Sequence, residues 1–163
     1  MLELEFPELV ELNNFGGDFP SYLEYVYSLF AADFIHSKPK FMGRVVSAQK
    51  FPLVDGVLHR TFYHITHEGE TEDERNPDIR RMERIRFPKF IIEKSPHEEL
   101  MIWKNTRKRD TRVLIFNEAE QYLCVLTKRR DYYLFWTAYL VEQEHRKRKL
   151  RKEYEAYKKT KTA

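Results

Sequence analysis

The apolar residues of this chain follow two periods, one typical of helices and one typical of strands. Between about Phe19 and Ile35 they recur at intervals of three and four residues, which predicts an amphipathic helix. The positions with this spacing are Leu23, Val26, Tyr27, Phe30 and Phe34. After residue 99 they occur instead in short runs separated by polar turns, a pattern typical of strands. Four strands are predicted, at 100–104, 112–116, 121–129 and 132–140. Their short connections favour an antiparallel meander.

Shorter signals predict the remaining elements. Strands are expected at 41–48 and 57–65, with Asp55-Gly56 in the turn between them. A helix is expected over 77–86, followed by a short turn at 88–94, and an exposed acidic loop is expected at 66–76. Residues 142–158 are predicted to form a basic helix whose apolar stripe consists of Leu150, Tyr154 and Tyr157.

These elements predict one α+β domain, with N-terminal helices, a four-stranded antiparallel β-meander and a C-terminal basic helix. The helical N-terminal part would span residues 1–40 and the α+β core residues 41–141. The basic helix and tail would span residues 142–163. A chain of 163 residues is long enough to bury an ordinary core.

Charge is distributed unevenly along the chain, although the net charge is only +3. The first 37 residues contain seven acidic side chains and no lysine or arginine, whereas the last 19 contain nine basic side chains and two glutamates. Such a basic tail favours a polyanionic partner, and nucleic acid is the commonest one.

Several classes of chemistry lack their sequence signatures. Cys124 is the single cysteine, lies in an apolar run and is expected to be buried, so no internal disulfide or multi-cysteine zinc site is predicted. We find no glycine-rich phosphate loop, His-Glu-x-x-His helix or carboxylate cluster, and expect neither metal nor cofactor. The acidic start does not resemble a signal peptide, and no apolar run is long enough for a membrane span. We therefore expect a cytoplasmic protein without a membrane partner.

His64 and His67 are the first candidates for catalysis. In the predicted strand, His64 shares a face with Arg60 and Phe62, and His67 lies where the strand ends. Imidazole can accept and donate a proton near neutral pH, as RNA cleavage by its own 2′-hydroxyl requires. A purely structural role explains the pair equally well.

Basic side chains supply candidates for phosphate binding. Arg81 and Arg84 lie three residues apart on one predicted helix face, so both could bind one phosphate. A solvated helix face paired with neighbouring acids explains them equally well. Further candidates for nucleic-acid contact are Arg86, Lys89, Lys104, Arg107 and Arg129. Lys104 and Arg107 belong to a polar loop, and loops of this kind more often have no specific role.

Thr137 and Tyr139 are two residues apart on the last predicted strand, so they share one face. Trp136, Ala138 and Leu140 would then fill the core. The two hydroxyl groups could position a phosphate oxygen or, for the tyrosine, stack on a base. High strand propensity alone also explains both residues.

The late part of the chain resembles phage-associated members of the barnase–EndoU–colicin–RelE-like nuclease superfamily. The resemblance covers about 58–157 and is most specific in Leu134-Phe-Trp-Thr-Ala-Tyr139, the preceding Lys128-Arg129-Arg130 and the following His145. That group joins an α-helical N-terminal part to a four-stranded antiparallel sheet and generally cleaves RNA without metal.

The EndoU branch uses two histidines, a lysine and a Ser/Thr-x-Tyr element on a late strand. The resemblance therefore implies that His64 and His67 are the acid/base pair, with His145 as an alternative to either. It assigns Thr137 and Tyr139 to the late-strand element. The lysine could be Lys89 or Lys104.

We thus expect a metal-independent endoribonuclease that uses the 2′-hydroxyl of its RNA substrate. The resemblance suggests a phage or mobile-element toxin or defence effector, with an antitoxin or immunity protein as a further partner. One alternative is a non-catalytic nucleic-acid-binding protein that uses the basic tail and the loop at 104–112. Another is a phage accessory protein whose acidic N-terminal segment docks on a protein partner.

Overall fold

The computed structural model describes residues 2–69 and 75–162 and has an α+β architecture. Residues 70–74 of the predicted acidic loop lie outside the described residues. The elements begin with a 3₁₀ helix at Leu12–Phe15, α1 at Phe19–Phe34, β1 at Lys40–Phe41, β2 at Arg44–Ser47 and α2 at Arg60–Thr66. They continue with β3 at His67–Glu68, β4 at Asn76–Pro77, α3 at Ile79–Glu83 and α4 at Phe87–Glu93. The last five are β5 at Met101–Arg107, β6 at Asp110–Asn117, β7 at Tyr122–Lys128, β8 at Tyr133–Leu140 and α5 at Glu144–Thr162.

The main sheet has six strands in the order β1-β2-β8-β7-β6-β5. β5 to β8 form the predicted antiparallel meander. The predicted size of the sheet is wrong, because β2 adds in parallel to β8 through Val46 and Ser47, and β1 pairs with β2. That parallel pairing joins segments almost ninety residues apart in the sequence, so no local turn signal indicates it.

Both faces of the meander are buried. On one face, apolar side chains of α1, α2 and α4 pack against the sheet and form the larger core. The other face carries a smaller core of Trp103, Leu114, Phe116, Leu123, Val125 and Val141. The stripe predicted on α5, Leu150, Tyr154 and Tyr157, packs on this second core. Burial from both sides explains why β7 is an unbroken apolar run rather than an alternating one.

The prediction of a strand at 57–65 is wrong, because Arg60–Thr66 form the helix α2. Phe62 and Ile65, three residues apart, both point into the larger core, and Thr61 and Thr66 are buried beside them. Threonine, phenylalanine and isoleucine favour strands by intrinsic propensity, but packing on the sheet decides the helix. The expected alternation of His64 with its neighbours is therefore also wrong. The turn predicted at 88–94 is part of α4, which Pro88 fits as a residue of the first turn.

A β-bulge in β8 changes which side chains enter the core. The register with β7 shifts between Val125 and Leu126, so Trp136 has no residue opposite it. Phe135 and Ala138 are buried in the larger core, whereas Trp136 is 44% exposed, contrary to the prediction that it fills the core. Tyr139 packs on the second face, opposite Ala138.

Cys124 is fully buried in the larger core, which confirms that it acts as a small apolar side chain. Burial raises the pKa of its thiol far above the ordinary value. None of the helices formed by the described residues is apolar over a length that would cross a bilayer.

The bulge predicts that two adjacent substitutions destabilise the protein to different extents. Phe135→Ala removes a buried ring stacked on Phe34 at 4.9 Å and should lower the free energy of unfolding by about 3–5 kcal/mol. Trp136→Ala removes a half-exposed ring and should cost about 1 kcal/mol or less. Urea unfolding of both variants checks this, and equal losses would contradict the bulged register.

Candidate nucleic-acid interface

A polar groove of about 430 Å³ lies between the second face of the sheet and the first half of α5. We call it the Tyr139 groove, after the residue of β8 at its floor. The side chains that line it come from β5, β6, β7, β8 and α5. They are Asn105, Arg107, Arg112, Leu114, Leu123, Val125, Tyr139, His145, Arg146, Lys149, Leu150 and Glu153.

Four lining side chains are cationic and only one is acidic. The cations are Arg107, Arg112, Arg146 and Lys149, and the acid is Glu153, which leaves an excess of three positive charges. Among the described residues, neither Arg107 nor Lys149 has an acidic partner. Cations that are not neutralised by the protein favour an anionic ligand.

A short chain of hydrogen bonds fixes one wall of the groove. Glu153 Oε1 accepts from Trp103 Nε1 at 2.9 Å and from Asn105 Nδ2 at 2.6 Å. Arg112 Nε in turn donates to Asn105 Oδ1 at 3.0 Å. The carboxylate therefore joins α5 to β5, and the amide of Asn105 relays that connection to the guanidinium of Arg112. These bonds hold Arg112 in a defined orientation at the groove wall.

Tyr139 lies between two guanidinium groups. The guanidinium carbon of Arg81 lies 5.6 Å from the ring centroid and that of Arg146 lies 5.5 Å from it. Arg146 Nη2 also donates to the phenol oxygen at 3.3 Å. Cation–π contacts of this kind stabilise the ring position and keep positive charge next to the hydroxyl group.

Arg81 connects the Tyr139 groove to the end of α2. Its Nη1 donates to the carbonyl oxygens of His67 at 3.2 Å and His64 at 3.4 Å, and Arg75 Nη1 donates to the same two oxygens. The last carbonyl groups of a helix lack partners within the helix, and the two arginines supply them. Arg81 also forms an ion pair with Asp78 at 3.4 Å. These contacts give it a structural role.

The His64 and His67 imidazoles have different neighbours. The ring of His64 lies 5.6 Å from that of exposed Trp136, and the ring of His67 stacks on Tyr63 at 4.2 Å. Burial, with the positive charges of nearby arginines, lowers the pKa of His64 to about 4. Burial also lowers the pKa of His67, whose Nδ1 is 2.9 Å from Thr66 Oγ1. Neither histidine lines the Tyr139 groove.

The other predicted phosphate-binding residues are scattered. Arg84 is largely buried and pairs with Glu83 at 3.6 Å. Arg86 and Lys89 lie near Asp33. Burial raises the pKa of Asp33, and the positive charges of Lys89 and Arg86 partly offset this increase. Arg129 pairs with Asp110 at 3.6 Å near the end of the β7–β8 hairpin. Lys104 lines a separate pocket, so only Arg107 of the predicted set reaches the Tyr139 groove.

Of the predicted catalytic residues, Tyr139 and His145 share the groove. Thr137 is buried on β8, and the two upstream histidines lie at the end of α2. Arg112, Arg146 and Lys149 were not singled out as site residues from the sequence, although the non-catalytic alternative included the loop at 104–112 and the basic tail that contain them. The spacing of 145/149 and 146/150/153 places these positions along one side of a helix, a signal that was available in the sequence.

The lowered pKa of His64 predicts a pH-dependent loss of stability. The unfolded chain takes up a proton near the ordinary pKa of 6.5, whereas the folded chain resists protonation until about 4. The contribution of His64 to the free energy of unfolding should therefore be fully present above pH 6.5 and should decrease progressively as the pH falls towards 4. His64→Gln removes this contribution, so urea unfolding between these pH values should show a smaller pH-dependent loss for the variant. A His64 NMR titration midpoint near 6.5 in the native protein would refute the prediction.

Comparisons with known proteins return no relative. No family model, no curated protein and no solved structure matches the chain. The resemblance to the nuclease superfamily therefore remains a prediction from the late-strand sequence, and the function is argued from the groove itself.

Proposed function

We propose that this protein binds the sugar–phosphate backbone of RNA in the Tyr139 groove. The observation that carries the proposal is the excess of three positive charges around a polar groove whose floor is a tyrosine. Phosphate groups are the anions that such arginine and lysine sets bind most often. RNA is chosen over DNA because the resemblance implies it.

The N-terminal segment gives less support to the alternative of a docking module. Its residues already make contacts inside the fold. The backbone N–H of Leu4 donates to Glu99 at 2.9 Å, and the ring of Phe6 lies within 5 Å of Phe87 and Phe90. Because these groups already form contacts inside the fold, the N-terminal segment has fewer groups available to bind a partner than the groove has.

Electrostatic binding predicts a defined salt dependence. If all four cations contact phosphates of a single strand, the logarithm of affinity should fall with the logarithm of salt concentration with a slope of about −3. Arg107→Gln and Lys149→Gln should each reduce that slope by about 0.7 and weaken binding to all sequences alike. Fluorescence anisotropy with a labelled single-stranded RNA over a salt series measures both quantities.

Lys38→Gln is the matched control, because this lysine is exposed, contacts Ser47 and is not among the residues that line the groove. Equal slopes for wild type, control and groove variants would contradict the proposed interface. A DNA strand of the same sequence tests the choice of RNA.

The same groove supports a second candidate function, metal-independent RNA cleavage. The specific observation is that an imidazole, a phenol hydroxyl group and two cations line one groove, at His145, Tyr139, Arg146 and Lys149. In this reaction the 2′-oxygen loses its proton and attacks phosphorus, while the 5′-oxygen leaves and gains a proton. We propose that His145 takes the proton of the 2′-hydroxyl group and, as imidazolium, gives it to the leaving 5′-oxygen, that Tyr139 positions a phosphate oxygen, and that the two cations stabilise the charge of the phosphorane.

This assignment moves the proton-transfer role from α2 to α5. The low pKa of His64 keeps it uncharged at neutral pH, and its ring lies against Trp136 rather than in the groove. The acid/base pair predicted at His64 and His67 is thus not part of the proposed site.

Cleavage predicts that His145→Gln lowers the rate by a factor of about 100 or more, while RNA affinity changes little. Tyr139→Phe should lower the rate less, because one hydroxyl group is lost from a site that keeps its cations. Denaturing gel analysis in the presence of EDTA, with mass identification of a 2′,3′-cyclic phosphate end, provides the readout. His64→Gln serves as the comparison variant. Loss of cleavage in that variant, with cleavage retained in His145→Gln, would refute the assignment.

A further inference from the structure

A second cavity, of about 420 Å³, lies beside the edge strand β5 and the second half of α5. We call it the edge pocket. Its walls are mainly aromatic and apolar, and include Phe41, Met42, Trp103, Lys104, Tyr154 and Tyr157. None of the described residues that line it is acidic. Phe41 and Trp103 are almost completely buried, so the accessible aromatic surface of the pocket belongs to the partly exposed Tyr154 and Tyr157.

The aromatic wall of the edge pocket is held in place and flanked by lysines. Tyr154 lies edge-on to Trp103, with ring centroids 5.7 Å apart, and the indole N–H of Trp103 is anchored by Glu153. Lys158 lies over the ring of Tyr154 at 5.2 Å. Lys161 lies over the ring of Tyr157 at 5.5 Å. Aromatic rings interleaved with cations are the usual composition of a surface on which nucleobases stack.

The edge pocket and the Tyr139 groove are within reach of one polynucleotide. On β5, Arg107 of the groove and Trp103 of the pocket are four residues apart, or about 13 Å along a strand. On α5, Lys149 of the groove and Tyr157 of the pocket are eight residues apart, or about 12 Å along a helix. The two cavities also contain residues that are adjacent in sequence, Asn105 and Lys104 on β5 and Glu153 and Tyr154 on α5, so they border each other and one strand can reach both.

We infer that the edge pocket receives an unpaired nucleobase from the RNA strand whose phosphates lie in the Tyr139 groove. This inference rests on the proposed function and specifies the substrate class as single-stranded RNA. The bases of a duplex are paired and stacked inside the helix, so they cannot enter a side pocket without being extruded. The lysine-flanked aromatic wall would stack on the base, and the groove cations would hold the backbone on either side of it.

The first experiment compares RNA with and without bases. Wild type and Tyr157→Leu are titrated with a short oligoadenylate, with the same ribose–phosphate chain made abasic, and with an RNA duplex. Leucine keeps apolar volume but cannot stack, so oligoadenylate affinity should fall about tenfold while affinity for the abasic chain stays the same. Wild type should bind the duplex no better than the abasic chain.

Tyr25→Leu is the matched control, because Tyr25 is 44% exposed on α1 and lines neither cavity. Its affinities should equal those of the wild type. Thermal unfolding of all variants reports whether the fold is kept.

A second measurement uses a variant in which no residue of the edge pocket is changed. The chain has two tryptophans, so Trp136→Phe leaves Trp103 as the single emitter, at the wall of the edge pocket. Oligoadenylate should quench or shift Trp103 fluorescence, and the abasic chain should not.

The outcomes separate the inference from the function on which it rests. If oligoadenylate and the abasic chain bind equally, with salt-dependent affinity and no Trp103 response, the edge pocket takes no base and the inference is overturned, while the groove proposal stands. If wild type binds neither RNA at any salt concentration, both are overturned. Tight duplex binding with an unchanged Trp103 signal would also overturn the inference.

Discussion

The packing of α5 on the second face of the meander is the interaction on which the rest of the site depends. Leu150, Tyr154 and Tyr157 are partly buried and cover a small apolar core that would otherwise face solvent, and the removal of this apolar surface from water stabilises the fold. The Glu153 carboxylate adds a directional contact to Trp103 on the edge strand. Because the helix is packed in this way, the Tyr139 groove forms beside its first half and the edge pocket beside its second half. A shift of the helix would change both cavities together.

α5 therefore combines an apolar stripe that stabilises the fold with cationic side chains beside it. Some of these cations form ion pairs with acidic residues and others do not. Some cations of α5 are tied to nearby acids, namely Arg151 with Glu118 at 2.6 Å and Lys147 with Glu144 at 2.8 Å. These exposed pairs contribute little stability and mainly reduce repulsion along the helix. Lys149 has no acidic partner among the described residues and faces the groove. Positive charge that the fold does not neutralise thus lies next to the groove, where a polyanion would bind.

The positions of the histidines in the structure change the assignment of the acid/base role that the sequence suggested. A strand at 57–65 would have set His64 and His67 out from a sheet, whereas the helix α2 packs against β8 and brings His64 against Trp136. Arg81, which was predicted to bind phosphate, instead joins Arg75 in donating to the carbonyl groups at the end of α2. Desolvation then keeps His64 uncharged at neutral pH. The acid/base role in our proposal consequently passes to His145, which lines the Tyr139 groove.

The sequence by itself determined the elements whose periodicity is long and local, including α1, the β5–β8 meander and the apolar stripe of α5. It also placed Tyr139 on the face opposite Ala138, because strand alternation survives a bulge beyond its own position. Only the tertiary structure decided that α2 is helical, that Trp136 leaves the core, and that β2 joins β8 in parallel. Each of these depends on packing or pairing between distant segments, and propensity carries no information about such partners. The groove has the same origin, since its cations come from two strands and a helix that meet only when the second core closes.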